Sequence, residues 1–254
     1  MDWLTPLSGF IVGVIVGVTG VGGGSLMTPL LVLAFGIAPA TAVGTDLLYA
    51  AITKAAGVYV HDRQGTIDYR IVALMGTGSV PMAIVTTIAL HLIAPGPDAL
   101  TPLIRPVLGV ALLLTAAAIM FKHKLAAISP VAGWSGRTLS AATVATGAVL
   151  GVVVTITSVG AGALGVAALV FLYPQRPAVR IVGTDIAHAV PLTLVAGLGH
   201  ASLGTVDLSL LTALLIGSIP GVMLGSNLSK KLPERALRPA LAAVLLLVGA
   251  KLVS

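Results

Sequence analysis

The sequence predicts an all-α integral membrane protein made of two inverted repeats, each a glycine-broken re-entrant hairpin followed by three transmembrane helices. Three observations predict it: the composition, an internal duplication and the placement of the basic residues. Of 254 residues, 57% are hydrophobic and 9% charged, with a mean hydropathy of +1.09. A soluble domain carries about 25% charged residues, so too little polar side chain is present to cover a particle in water. The apolar runs are continuous rather than alternating, which calls for helices and not a barrel. Aromatics make up only 4%, so Ala, Val, Leu, Ile and Gly build these runs, a mixture suited to close helix packing in lipid.

Apolar runs occupy about 7–36, 41–60, 71–93, 103–121, 139–172, 179–199, 208–228 and 236–253. Most match the roughly 20 residues that cross the hydrocarbon, and charges and prolines separate them. The first and fifth are too long, and each contains small-residue interruptions: "GVTGVGGGSLMTPLL" at 17–31 and "TSVGAGALG" at 157–165. No basic residue precedes the first run, which is therefore expected to remain in the mature chain. The absence of cysteine removes disulfides and thiolate chemistry. A net charge of +6 fits the cytoplasmic loops of a membrane protein better than a nucleic-acid surface.

Residues 43–81 align without a gap to 182–220 at an offset of 139, with twelve identities in thirty-nine positions. "VGTD" pairs with "VGTD", His61 with His200, "GTID" with "GTVD" and "GSVP" with "GSIP". The chain is thus expected to be a single transmembrane domain: repeat 1 at about 7–121, a basic cytoplasmic linker at 122–138, and repeat 2 at about 139–254. If each long run crossed the membrane once, the halves would be parallel, and Arg176, Arg180, Lys230, Lys231, Arg235 and Arg238 would lie outside. If each run enters and returns, the halves are inverted and eleven of the fourteen basic residues fall on the cytoplasmic side. The hairpin tips then lie at the glycines, near the midplane.

Backbone can leave the helix inside a bilayer only where protein or water satisfies it. A helix restarting there aims free N–H groups and a positive dipole end at the midplane, which suits an anion. The expected binding residues are Thr19, Gly22, Gly23, Gly24 and Ser25 in the first tip, and Thr157, Ser158, Gly160 and Gly162 in the second. Tight helix packing would also use the glycines, and hydroxyls routinely satisfy helix backbone. Asp46 and Asp185 each follow a Gly-Thr pair within an apolar run. A carboxylate there is costly unless paired or wet, so both are candidates for carrying protons, with helix capping as the alternative. His188, three residues after Asp185, could share its proton, or could simply be a satisfied hydrogen-bonding residue. Lys54 could neutralise Asp46 or face a substrate, but is expected to snorkel to the inner interface. His61, His200, Asp68 and Asp207 read as turn and capping residues, and Arg105 and Arg238, each before a proline at a helix start, as interface anchors.

The glycine-rich stretch, the following "GTD", and their second copies "TSVGAGALG" and "VGTDIAHAVP" together resemble the sulfite exporter TauE/SafE family, also called the toluene-sulfonate uptake permease family. The likeness extends over essentially the whole chain. It implies a secondary transporter of a small sulfur-containing anion, sulfite or an organosulfonate such as sulfoacetate, across the cytoplasmic membrane. Proton coupling is expected, and a passive anion channel of the same architecture is the alternative. The second tip reads "SVGAGA" where the first reads "GVGGGS", so the two are not chemically equal. No enzyme motif, metal site or cofactor is foreseen. The expected partners are the small anion and membrane lipid, with no nucleic acid, and a homodimer is left open.

Overall fold

The fold is that of a computed structural model, which describes residues 7, 9–11, 13–14, 24–94, 96–127, 134–229 and 234–253. For 24–26, 122–127, 222–223, 226–229, 234–238 and 240 it describes the backbone only. The elements are α1 (Gly24–Leu33), α2 (Pro39–Arg63), α3 (Tyr69–Ile93), α4 (Pro97–Ala127), α5 (Gly136–Thr157), α6 (Ala163–Leu172), α7 (Ala178–Ser202), α8 (Leu208–Ser229) and α9 (Glu234–Val253). Described residues between 7 and 14 are also helical. Helices α3, α5, α7 and the first 25 residues of α4 are long and apolar enough to cross a membrane. Large apolar side chains face outward, with Leu92 76%, Leu247 74% and Val149 63% exposed. A soluble protein would bury such residues; lipid does not require it.

Local signals place the helix ends. Pro39 opens α2, where its missing N–H costs nothing. Asp68 caps α3 by accepting from the Ile71 N–H at 3.4 Å, and Asp207 caps α8 by accepting from the Leu210 N–H at 2.9 Å. The bounds of α1 and α6 differ by 139 at both ends, as do those of α2 and α7, and α3 and α8 begin 139 apart. The duplication read from sequence is therefore a duplication of helices. Arg105 and Arg238 are not at helix starts, because α4 begins at Pro97 and α9 at Glu234. The expected linker also begins as helix, since α4 runs on through Lys122 and Lys124; residues 128–133 of it lie outside the described residues.

The halves meet through reciprocal contacts. The Asp68 N–H donates to Thr184 Oγ1 at 3.0 Å, and the Asp207 N–H donates to Thr45 Oγ1 at 3.1 Å. Thr45 is near the start of α2 and Asp207 just past the end of α7, while Thr184 is near the start of α7 and Asp68 just past the end of α2. The two equivalent helices consequently run in opposite directions. Helices α4 and α9 also run antiparallel: a Cβ on Gly109 would lie 2.6 Å from Val253, whereas one on Gly249 would lie 3.0 Å from Leu113. Hydroxyls of Thr143 on α5 and Tyr173 just after α6 lie 2.7 Å apart, so α5 and α6 fold back on each other. Arg176, three residues on, pairs with Asp68 at 3.0 Å, which puts the open end of this α5–α6 hairpin beside the α2–α3 turn.

Candidate functional site

Residues of α2 and α7 meet at the interruption between α5 and α6. Asp46 sits in the second turn of α2 and Asp185 in the same turn of α7; both are inside their helices, so neither is a cap. They are 0% and 1% exposed. Asp46 Oδ2 accepts from Thr28 Oγ1 on α1 at 2.5 Å and from Ser158 Oγ at 2.9 Å. One carboxylate thus joins the short helix of its own half to the interruption in the other half. Asp185 lies against the first turn of α6, so closely that a Cβ on Gly165 would collide with its Oδ1. Among the described residues, Asp46 Oδ1 and Asp185 Oδ1 have no hydrogen-bond partner.

The interruption at 158–162 is shaped by backbone that most side chains resist. Gly160 and Gly162 have φ of 118° and 137°, and Ser158 adopts φ 57° to end α5. Thr157 spends its hydroxyl on the local backbone, donating to the Val153 carbonyl at 2.7 Å and accepting from the Val159 N–H at 3.1 Å. Gly162 opens α6 without a side-chain cap, and the Gly165 N–H in the first turn donates to the Gly160 carbonyl at 3.0 Å.

Lys54 reaches this interruption. Two helical steps of four residues beyond Asp46, it lies on the same face of α2, is 5% exposed, and donates to the Ala161 carbonyl. The expectation that it snorkels to the interface is overturned: the side chain is buried, and the Ala161 carbonyl supplies the hydrogen bond that burial demands. Lys54 is within electrostatic range of both Asp46 and Asp185. His188 is 1% exposed, and its Nε2 lies 2.8 Å from Ser79 Oγ on α3.

Of the residues predicted from sequence, the structure gathers Asp46, Asp185, Ser158, Gly160 and Gly162 here, with Thr157 and His188 alongside. Thr19, Gly22 and Gly23 lie outside the described residues, and Gly24 and Ser25 are described only as the backbone that opens α1. Thr28, Ser79, Gly165 and the Ala161 carbonyl were not foreseen. A signal existed for Ser79, since "GSVP" and "GSIP" recur at the 139-residue offset; none existed for Thr28, whose equivalent is Ala167.

Fold and site together define a multi-pass helical membrane protein whose buried charges cluster around the interruption between α5 and α6. The chain matches the profile of the family described as "Sulfite exporter TauE/SafE" over residues 6–252, and it belongs to that family. It is 42% identical over 250 residues to the "Probable membrane transporter protein YjnA" of Bacillus subtilis (strain 168), covering 97% of this chain and 98% of that one. It is 29% identical over 258 residues to the "Probable membrane transporter protein YdhB" of the same organism, covering 94% and 97%. No solved structure matches it. The protein is a membrane transporter of the TauE/SafE type.

Proposed function

We propose that this transporter is a secondary carrier that moves a small sulfur-containing anion, sulfite or an organosulfonate such as sulfoacetate, across the cytoplasmic membrane together with protons. The observation that carries the proposal is the pair of buried carboxylates, Asp46 and Asp185, at equivalent positions beside the starts of two short helices. Such helix starts attract negative charge, and here the protein's own carboxylates are the negative groups nearest them. An anion entering the same place meets two like charges, a cost that protonation of the carboxylates removes. Anion and protons then travel as one assembly. The family supplies the sulfur-containing cargo, because nothing in the geometry separates one small oxyanion from another.

In this reading the halves are inverted repeats and the α5–α6 hairpin re-enters the membrane, with its open end inside. Support comes from the opposed directions of α2 and α7 and from the meeting of Thr143 with Tyr173. The α2–α3 turn and the α6–α7 loop bring Arg63, Arg70, Arg176 and Arg180 to one end, the side that the distribution of basic residues marks as cytoplasmic. Proteoliposomes loaded at one pH and diluted into another test the carrier. Uptake of labelled sulfite or sulfoacetate above its equilibrium level, driven by the pH gradient, is expected. Flux strictly down the anion gradient would instead indicate a channel.

A further inference from the structure

We propose that Lys54 is the cationic contact for the transported anion, and that the Ala161 carbonyl holds its ammonium only while the site is empty of substrate. The inference rests on the carrier reading above and adds to it a residue that the repeat does not supply twice. The position equivalent to Lys54 in the second half is Thr193, whose hydroxyl is spent on the Ala189 carbonyl of its own helix at 2.8 Å. Lys54 is the one Lys or Arg among the buried residues described.

The hydrogen-bond inventory points the same way. An ammonium has three donors, and the Ala161 carbonyl takes one. No ion pair at contact distance joins Lys54 to Asp46 or Asp185 among the described residues, although both carboxylates are near enough to influence it. A lysine kept only to neutralise them would be expected to touch one. Instead it bonds a neutral carbonyl at the interruption, while Asp46 Oδ1 and Asp185 Oδ1 are left without partners. Three buried polar groups around the interruption thus have capacity unspent, which a small oxyanion carrying protons would use.

Charge arithmetic supports this role. With both carboxylates ionised, the cluster of Asp46, Asp185 and Lys54 carries a formal −1; His188 and Tyr49, the other titratable groups nearby, are counted neutral. With both protonated it carries +1, and a monoanion then completes a neutral assembly. Without the ammonium, no protonation state of the two carboxylates gives a neutral complex with the anion. In a low-dielectric centre that difference is large.

Counterflow exchange of labelled sulfite in proteoliposomes tests this, because exchange reports binding and passage without requiring a pH gradient. Lys54→Gln keeps a donor and removes the charge; its half-saturating sulfite concentration is expected to rise about tenfold or more, the cost of one charge-assisted contact. Lys54→Arg keeps the charge and is expected to retain affinity within about threefold of the unsubstituted protein. An unchanged half-saturating concentration in Lys54→Gln would overturn the inference and leave the carrier reading standing. If Lys54→Gln does not fold, the charge-balanced double variant Lys54→Gln with Asp185→Asn takes its place, since the amide imitates a protonated carboxyl. Weak exchange by the folded double variant supports a contact with the anion, whereas exchange at the original affinity would show that Lys54 only balances Asp185. Failure of the unsubstituted protein to exchange any of the anions would overturn the carrier reading itself, and this inference with it.

Discussion

The two halves share their buried and capping aspartates and the residues that lock backbone to backbone, and differ in their basic residues. Gly44-Thr45-Asp46 and Gly183-Thr184-Asp185 are identical, and so are the pairs His61–Thr66 and His200–Thr205, with ring to hydroxyl distances of 2.8 and 2.9 Å. Against these stand Lys54 and Thr193, Tyr49 and His188, Arg176 and Ile37, and Arg180 and Thr41. The turn ending α2 bears Arg63 and is followed by Arg70; the turn ending α7 and the start of α8 carry no Lys or Arg. A repeat that must pair with itself needs its interlocking hydroxyls on both sides. A transporter that must sit one way in the membrane needs its positive charges on one. The scaffold can therefore be near-symmetric while the electrostatics are not.

The sharpest way to break this comparison uses two equivalent positions, Arg63 and Ser202. The chain has no native cysteine, so single-cysteine variants at 63 and 202 are cleanly readable. A membrane-impermeant thiol reagent applied outside intact cells is expected to label 202 and not 63, an all-or-none difference. Labelling of both from the same side would mean parallel halves.

Next in size is the comparison of the two carboxylates. Asn can still accept the Thr28 and Ser158 hydroxyls at position 46, and it fits the space at 185, so both Asp→Asn variants should fold. Neither can release a proton, and each is expected to lose pH-driven accumulation by about tenfold or more, with a smaller change in anion-stabilised melting. Full accumulation by one variant would confine coupling to the other half.

The offset of 139, found in sequence, foretold where α6 and α7 begin and end once α1 and α2 were placed. It also foretold the matching turns at His61 and His200. Burial of Asp46 and Asp185 was legible because a carboxylate inside an apolar run has few other reasons to be there. Lys54 is misread from sequence because a long flexible side chain on a membrane helix can usually reach the interface. Its spacing of eight residues from Asp46 put it on the buried face, and that outweighed its reach. The bond from Ser158 to Asp46 and the contact of Gly165 with Asp185 depend on how separate helices pack. No single-chain pattern encodes which side chain from one half meets which from the other.

The paired histidines give the third test. His200 is fully buried; its Nδ1 lies 2.9 Å from Thr205 Oγ1 and its Nε2 lies 2.8 Å from the Thr155 carbonyl near the end of α5. Its twin His61 is partly exposed, and only its Nδ1 bond to Thr66 is matched. His200→Ala leaves a cavity and an unpaired carbonyl beside the interruption, and is expected to destabilise by about 2–4 kcal/mol in detergent unfolding. His61→Ala should cost about 1 kcal/mol. Equal losses would show that the histidines act only on their own turns and that the link from α7 to α5 carries no weight.

The smallest expected effect concerns the ion pair found at one end alone. Arg176 and Asp68 meet at 3.0 Å with side chains 45% and 18% exposed, so water and salt screen much of the attraction. Arg176→Ile, which copies the equivalent residue of the first half, is expected to change stability by no more than about 1 kcal/mol. Asp68 keeps its capping bond to Ile71 in that variant, and its own N–H keeps Thr184. Stability measured by thermal unfolding at low and high salt separates the contributions: a loss that fades with added salt belongs to the exposed pair. A loss well above about 1 kcal/mol that persists in salt would mean that Arg176 holds the hairpin's open end by packing as well as by charge. The arginine end would then differ from its twin in structure and not only in electrostatics.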